Sequence, residues 1–382
     1  MLVNSKCYLK LLRSLAMACV LVLISTAHAA SCDQSWPAWE SFKKTFINKE
    51  GRVIDASSDV MKTTSEGQAY AMFFALVAND RITFEKLLNW ATKNQLQDDM
   101  NSHLPGWAWG KKDDGSWGVL DGNSASDADL WMAYALGEAG RLWENRRYIA
   151  YSSLLANRIL SGETLEVPGL GLVLLPSPIG FKPSTTSVRL NPSYVPLQLM
   201  RWFNARSKDS RWTALLNSST QLIVKSASNG YAPDWVIYDY DKGFLPDTEK
   251  SNIGSYDAIR VYLWAGMLSL DDKDLKTLLD RLKPMARFVE SHGSPPESIN
   301  IMTGEAGNTG SSGFSAAMIP FLQTSGLNKA VEEQLRLIDA QPVVDNHYYD
   351  QVLSLYALGW HNNLYRFDAS GNLTPHWIST CK

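Results

Sequence analysis

The chain has 382 residues, a formal net charge of −3 and 11% aromatic residues, including 14 Trp. Such a mildly acidic chain gives no reason to expect nucleic acid or anionic lipid as a partner. The Trp content is high for a soluble domain, and Trp rings serve both as core side chains and as faces that contact sugar rings.

The first segment of the chain, residues 1–29, has the pattern of a signal peptide. Three basic residues precede an apolar run, residues 14–24, that is too short to span a bilayer stably, and a small-x-small cleavage sequence, AHA, ends the segment. An uncleaved membrane anchor and a lipoprotein attached through Cys32 are the alternatives. We therefore predict an exported chain, residues 30–382, that is periplasmic or secreted and has no membrane span after signal cleavage. Loss of three basic and no acidic residues changes its formal charge from −3 to −6.

Two cysteines lie outside the signal peptide, Cys32 and Cys381, near the two ends of the chain. In an oxidising compartment this placement favours a disulfide that joins the ends, with free thiols as the alternative. No metal site and no cofactor are predicted, because the remaining histidines do not have the spacing of metal ligands. These are His103, His292, His347, His361 and His376.

Apolar residues at spacings of three and four indicate about twelve helices of two alternating kinds. Helices with charged outer faces are expected at residues 36–48, 82–94, 147–161, 211–226, 272–291 and 328–339. Helices that are apolar nearly all round, and are therefore buried on every side, are expected at residues 66–78, 127–143, 192–203, 256–268, 314–322 and 349–360. Six outer and inner pairs without a linker or a composition break describe one all-α domain, an (α/α)6 barrel.

Short extended stretches interrupt the helices at residues 106–121, 167–176 and 365–377. The first and the last of these stretches are predicted β-hairpins.

Polar residues stand at the starts of the inner helices, including Glu66, Asp127, Asp129, Tyr194 and Asp257. Each carboxylate alone is readily explained as a helix cap, because negative charge is favoured at a helix N-terminus. In a barrel of parallel inner helices, however, all these starts lie at one end. The pattern therefore predicts a site at one mouth of the barrel.

Two of these carboxylates have contrasting surroundings. Asp257 is followed three residues later by Arg260 on an otherwise apolar helix, which favours an ion pair that keeps Asp257 ionised, as a general base requires. A purely structural ion pair is the alternative. Glu66 has Tyr70 and Phe73 on its face and no cation within a turn, so desolvation is expected to raise its pKa and leave a proton for donation. Such a pair is typical of glycoside hydrolysis.

Three stretches resemble the motifs of glycoside hydrolase family 8: TTSEGQAYAM, ASDADLWMAYALGEAGRLW and SYDAIRVYLW. The likeness covers nearly the whole exported chain, including LPGWAWGKK, NPSYVP and APDWVIYDYDKGF. It implies an (α/α)6 barrel and an inverting endo-1,4-β-glucanase, a cellulase. It places the general acid at Glu66 and the base at Asp257, with Asp127 holding the distorted sugar and Asp129 supporting it as a substrate-binding residue.

The resemblance also implies a set of substrate-binding residues. Tyr194 would orient the base or its water, and Arg260 lies beside the base. Other expected contacts are stacking platforms at Trp107, Trp109 and Trp131, with a core position as the alternative for Trp131, and lesser candidates at Asp234 and Trp235.

We therefore expect a secreted enzyme that cuts internal bonds of β-1,4-glucan chains, with a role in cellulose synthesis and with the cellulose synthase and export machinery as a partner. Xylan, chitosan and mixed-linkage glucan are alternative substrates. A polysaccharide lyase would need a Tyr or His base and a cation for a uronate, which the acidic chain and scattered histidines disfavour. A non-catalytic glucan-binding export factor would not need both Glu66 and Asp257.

Overall fold

The computed structural model describes residues 35–380, except residues 57–59, 248, 250 and 251. The predicted signal peptide, Cys32 and Cys381 lie outside the described residues. Signal cleavage and the disulfide between the two ends therefore stay predictions.

Helices of the two predicted kinds alternate along the described chain, an outer one followed by an inner one. In chain order they are α1 (Pro37–Phe46), α2 (Ser65–Val77), α3 (Arg81–Asn94), α4 (Ser126–Leu142), α5 (Arg146–Gly162), α6 (Leu197–Arg206), α7 (Arg211–Ser226), α8 (Ala258–Gly266), α9 (Leu275–His292), α10 (Ser312–Thr324), α11 (Asn328–Ala340) and α12 (Tyr348–His361). A short helix, α13 (Trp377–Thr380), follows near the C-terminus.

The inner helices close into a ring. Helix α2 packs on α4, α4 on α6, α6 on α8, α8 on α10 and α10 on α12, and α12 returns to α2. Every residue of α2 except Glu66 is buried, as expected for a helix that is surrounded on all sides. The predicted all-α (α/α)6 barrel is confirmed.

Close helix packing in this ring depends on small residues. At Gly266 of α8, a Cβ atom would lie 2.2 Å from the backbone nitrogen of Phe321 in α10. No larger side chain fits at that distance, so Gly266 lets the two helices approach each other.

One predicted inner helix begins differently from the prediction. The segment expected at residues 192–203 starts as a 3-10 turn, Pro192–Tyr194, and α6 begins only at Leu197. Val195 lies between them with φ −121° and ψ 62°, because the ring of Pro196 disfavours helical geometry in the residue before it. The interruption leaves Tyr194 at the barrel mouth instead of inside a helix.

Trp131 is a core residue. It is 0% exposed and packs against Phe73, Tyr356 and Trp264, with ring centroids at 5.0, 5.0 and 5.2 Å. It lies one helical turn, about 6 Å, further along α4 than Asp127 and hence deeper in the barrel. The expectation that Trp131 stacks on substrate is wrong, because no face of its ring is open.

Strands form small antiparallel sheets between the helices. They are β1 (Thr63–Thr64), β2 (Ala108–Lys111), β3 (Trp117–Asp121), β4 (Thr164–Val167), β5 (Gly171–Leu174), β6 (Ser187–Leu190), β7 (Val236–Asp239), β8 (Gly243–Pro246), β9 (Ile253–Gly254), β10 (Ile299–Asn300), β11 (Tyr365–Phe367) and β12 (Leu373–Pro375). The sheets have the orders β1-β2-β3, β4-β5, β6-β7-β8, β10-β9 and β11-β12. The predicted hairpins β2–β3 and β11–β12 are confirmed, whereas the sheet β6–β7–β8 was not predicted.

Within the described part of the chain, no helix has both the length and the apolar character needed to cross a membrane. The same residues contain no cluster of three or more His, Cys, Asp or Glu side chains that could hold a metal ion.

Candidate active site

Arg260, in the first turn of α8, links the starts of four inner segments. Its Nη2 donates to Asp257 Oδ1 at 2.9 Å and to Ser193 Oγ at 2.9 Å, and lies 3.7 Å from Asp127 Oδ2. Its Nη1 lies 3.4 Å from the Tyr349 hydroxyl. The starts of α8, the 3-10 turn, α4 and α12 therefore meet at one mouth of the barrel, as the sequence predicted.

Asp257 occupies the N-cap position of α8, but its side chain makes no capping hydrogen bond. The carboxylate instead pairs with Arg260 and is 26% exposed. It is therefore both ion-paired and accessible to water, which are the properties that a general base needs.

Glu66 lies in the first turn of α2, whose N-cap Thr64 accepts the amide of Gly67. One carboxyl oxygen of Glu66 accepts from the Trp107 indole at 3.2 Å, and the other lies 3.4 Å from Ser65 Oγ. Burial raises the pKa of Glu66 and outweighs the lowering by the Arg260 charge and by hydrogen bonds. The direction agrees with the expectation from sequence, although the sequence did not show that Arg260 reaches Glu66 from α8.

Asp127 lies between these two groups and is 1% exposed. Its Oδ2 is 3.4 Å from the Tyr70 hydroxyl. Burial and the neighbouring Glu66 charge raise the pKa of Asp127 to about 8, against the lowering by Arg260. Glu66, Asp127 and Asp257 thus form one coupled group of carboxyls around a single guanidinium.

Asp129 does not reach the mouth. It is 0% exposed and lies about 200° around α4 from Asp127. Its carboxyl faces that of Glu163, which also accepts from Ser124 Oγ. Asp129 therefore faces Glu163 in the interior, on another side of α4 from the mouth, and the expectation that it binds substrate is wrong. The two-residue spacing from Asp127 is the sequence signal that should have placed it on another face.

Trp107 and Trp109 differ in the side chains that surround their rings. Trp107 adjoins the acid through its indole nitrogen, and Lys62 Nζ lies 4.9 Å from its ring centroid. Trp109 is enclosed by Trp117 at 5.5 Å, by Trp90 and by the Arg52 guanidinium at 4.5 Å. Trp107 is consequently the better placed of the two for a sugar at the cleavage point.

Tyr194 and Trp235 lie on the base side of the mouth. Trp235 stacks on Phe181 at 5.6 Å and packs against Tyr194 at 5.9 Å. The Arg189 guanidinium lies 4.6 Å from the Trp235 ring. Burial, followed by the nearby Asp127 charge, raises the pKa of Tyr194 well above its ordinary value, so its hydroxyl keeps its proton. Phe181 and Arg189 were not singled out from the sequence.

Gly67, which follows Glu66 in the chain, leaves room for the Tyr348 side chain. A Cβ atom on Gly67 would lie 2.8 Å from the Tyr348 hydroxyl. That hydroxyl is buried, has no hydrogen-bond partner among the described residues and is close enough to Glu66 for the carboxylate charge to raise the pKa of Tyr348, after the larger effect of burial. The contact between Tyr348 and Gly67 joins residues far apart in the chain, and the sequence did not predict it.

A carboxyl group whose pKa is raised by desolvation and a partly exposed, ion-paired carboxylate at the same mouth are typical of glycoside hydrolases. Comparisons with known proteins agree. A profile of the glycosyl hydrolases family 8 matches residues 12–363. The chain is 46% identical to an endoglucanase of Escherichia coli O157:H7, over 98% of this chain and 99% of that protein.

Solved structures are similar as well. The endo-1,4-D-glucanase from Vibrio fischeri ES114 aligns with a TM-score of 0.84 and 45% identity, covering 90% of this chain and 100% of that one. The endo-beta-1,4-glucanase CMCax from Acetobacter xylinum aligns with a TM-score of 0.69 and 26% identity, covering 86% of this chain and 98% of that one. This chain is a glycoside hydrolase and belongs to glycosyl hydrolases family 8.

Proposed function

We propose that the chain is a secreted endo-1,4-β-glucanase that hydrolyses internal bonds of cellulose with inversion at the anomeric carbon. The observation that carries the proposal is the contrast between two carboxyl groups at one mouth: desolvation raises the pKa of Glu66, which favours a group that donates a proton, whereas Asp257 is ion-paired with Arg260 and 26% exposed. The endoglucanase names of the similar proteins support β-1,4-glucan as the substrate.

In the proposed reaction, Asp257 takes a proton from a water molecule while that water attacks the anomeric carbon. Glu66 gives its proton to the glycosidic oxygen as the bond to the leaving sugar breaks. Asp127, at the start of α4 beside Arg260 and Tyr70, is the proposed partner of the distorted sugar at the cleavage point. Exchange with solvent then returns the proton to Glu66 and removes it from Asp257.

Tyr194, Trp107 and Trp235 are the proposed contacts with the glucan chain around this centre. Tyr194 lies beside Arg260, with the guanidinium carbon 6.0 Å from its ring, and keeps its proton, so it is placed to orient the water at Asp257. Trp107 and Trp235 are both half-buried, which leaves part of each ring open to substrate.

The physiological setting is also part of the proposal. The signal-peptide pattern of residues 1–29 supports export to the periplasm or beyond. We propose that the enzyme trims cellulose during its synthesis and export, alongside the cellulose synthase machinery.

Reducing-end release on carboxymethyl-cellulose, xylan, chitosan and lichenan tests the proposed substrate, with Glu66→Gln as the inactive control. The expected result is the highest activity on carboxymethyl-cellulose and loss of that activity in the variant. Higher activity on xylan or chitosan would reassign the substrate, and an unsaturated product detected by its absorbance would indicate a lyase. Binding without hydrolysis would favour a non-catalytic export factor.

A further inference from the structure

The N-terminus of α8 is capped in an unusual way. An Asp at the N-cap position commonly accepts a hydrogen bond from an amide in the first turn of its own helix. The side chain of Asp257 makes no such bond, because it points to Arg260 at 2.9 Å instead. The first amides of α8 therefore need an acceptor from elsewhere in the chain.

Asp234 provides that acceptor from the loop before β7. Its Oδ1 accepts from the backbone amides of Ser255 at 2.7 Å, Asp257 at 3.1 Å and Ala258 at 2.8 Å. The Asp234 amide in turn donates to the carbonyl of Ile253 at 2.9 Å. One carboxylate oxygen thus holds the backbone on both sides of the Asp257 side chain.

We propose that Asp234 is a positioning residue for the general base: it caps α8 in place of Asp257 and so leaves the Asp257 carboxylate free to face Arg260 and water. The inference rests on the proposed function of Asp257 and deepens it. It differs from the expectation that Asp234 binds substrate, and the test below separates the two roles, since the Oδ1 atom accepts from three amides.

The charges around Asp234 also support a positioning role for Asp234 beside the base Asp257. The charged and titratable groups that face Asp234 are Asp257, Arg260, Tyr262 and Tyr349. Burial and the Asp257 charge raise the pKa of Asp234 to about 6, while hydrogen bonds from the amides of Ala258 and Ser255 lower it. The three amide bonds therefore stabilise a carboxylate that would otherwise be costly beside Asp257.

The test compares Asp234→Ala with Asp234→Asn. Alanine removes all three acceptor bonds, so kcat on carboxymethyl-cellulose should fall by about 10²-fold, because small displacements of a reacting group have effects of that size. KM should stay close to wild type. Asparagine keeps an acceptor oxygen and should restore most of kcat, while loss of the neighbouring charge should move the acidic limb of the kcat profile to lower pH.

A matched control is Asn145→Ala, which removes the cap of α5, where Asn145 Oδ1 accepts the Arg147 amide at 3.0 Å. It should lower thermal stability but leave kcat unchanged. Any effect of Asp234→Ala on kcat beyond this control therefore reports on the base and not on helix capping in general.

Three outcomes would overturn the inference. A higher KM with unchanged kcat in Asp234→Ala would make Asp234 a substrate contact, and unchanged kcat and KM would make it a plain cap. If Asp234→Ala does not fold, Asp234→Asn alone decides. A kcat near wild type, with the acidic limb at lower pH, supports the positioning role. A loss of kcat as large as in Asp257→Asn contradicts it. An inactive wild-type enzyme would instead refute the proposed function.

Discussion

Asp129 and Glu163 form a buried carboxyl pair that the proposed reaction does not use. Both side chains are 0% exposed, and neither oxygen of Asp129 has a partner other than Glu163 within the described chain. Two ionised carboxylates buried beside each other would repel, so the folded state favours a proton on at least one of them. We predict that this pair makes the free energy of unfolding depend on pH, and that the double variant Asp129→Asn/Glu163→Gln removes that dependence.

The size of the pH-dependent change in unfolding free energy follows from the raised pKa of Glu163. Burial raises the pKa of Glu163 to about 7 from an ordinary value of 4.5. Because the folded state holds this proton more tightly, its contribution to stability is fully present below about pH 4.5 and is lost as pH rises through about 7. A shift of this size corresponds to at most about 3 kcal/mol. The pKa of Asp129, which burial and then Glu163 raise well above its ordinary value, extends the loss to higher pH.

Urea unfolding followed by Trp fluorescence at pH 5 and pH 8 measures this dependence. The wild type should lose more stability between the two pH values than the double variant, by up to roughly 3 kcal/mol. Glu333→Gln/Asp280→Asn is the control, since it neutralises two exposed carboxylates on the outer helices and should keep the wild-type dependence.

Equal pH dependence in the wild type and in Asp129→Asn/Glu163→Gln would refute the raised pKa values of the buried pair. If the control double variant also lost the pH dependence of its unfolding free energy, the effect would come from net charge and not from the buried pair.

Four further predictions concern the reaction, the core and the chain ends. Glu66→Gln should lower hydrolysis of unactivated glucan by roughly 10²–10⁴-fold or more while glucan binding survives. Near-full activity would show that Glu66 is only a helix cap and not the general acid. Asp257→Asn should abolish turnover without trapping a glycosyl-enzyme, and proton NMR of the wild-type reaction should show the α-anomer first, so an early β-anomer would contradict Asp257 as the base. Trp131→Ala should lower the free energy of unfolding in urea by about 3–5 kcal/mol, because it leaves a cavity in the barrel core. An unchanged unfolding midpoint with weaker glucan binding would show instead that Trp131 contacts substrate. Mass spectrometry of non-reduced peptides should find Cys32 linked to Cys381, with two free thiols as the opposing result.

The sequence by itself determined the architecture and the location of the site. Hydrophobic periodicity is a local property of each segment, so helices apolar all round could be separated from amphipathic ones before any contact was known. Their alternation predicted the ring of inner helices. The polar helix starts, Glu66, Asp127 and Asp257, then had to share one mouth, because their positions along parallel helices are set by the chain.

Only the tertiary structure decided which polar group faces which. The links from Arg260 to Asp127 and from Asp234 to the start of α8 join residues far apart in sequence, and no periodicity encodes such pairing. Depth and rotation within a fully apolar helix were equally undetermined, since a segment buried on every side carries no polar face to orient it. For that reason Asp129 was expected at the mouth and Trp131 was left between the mouth and the core, whereas packing against neighbouring helices places both in the interior.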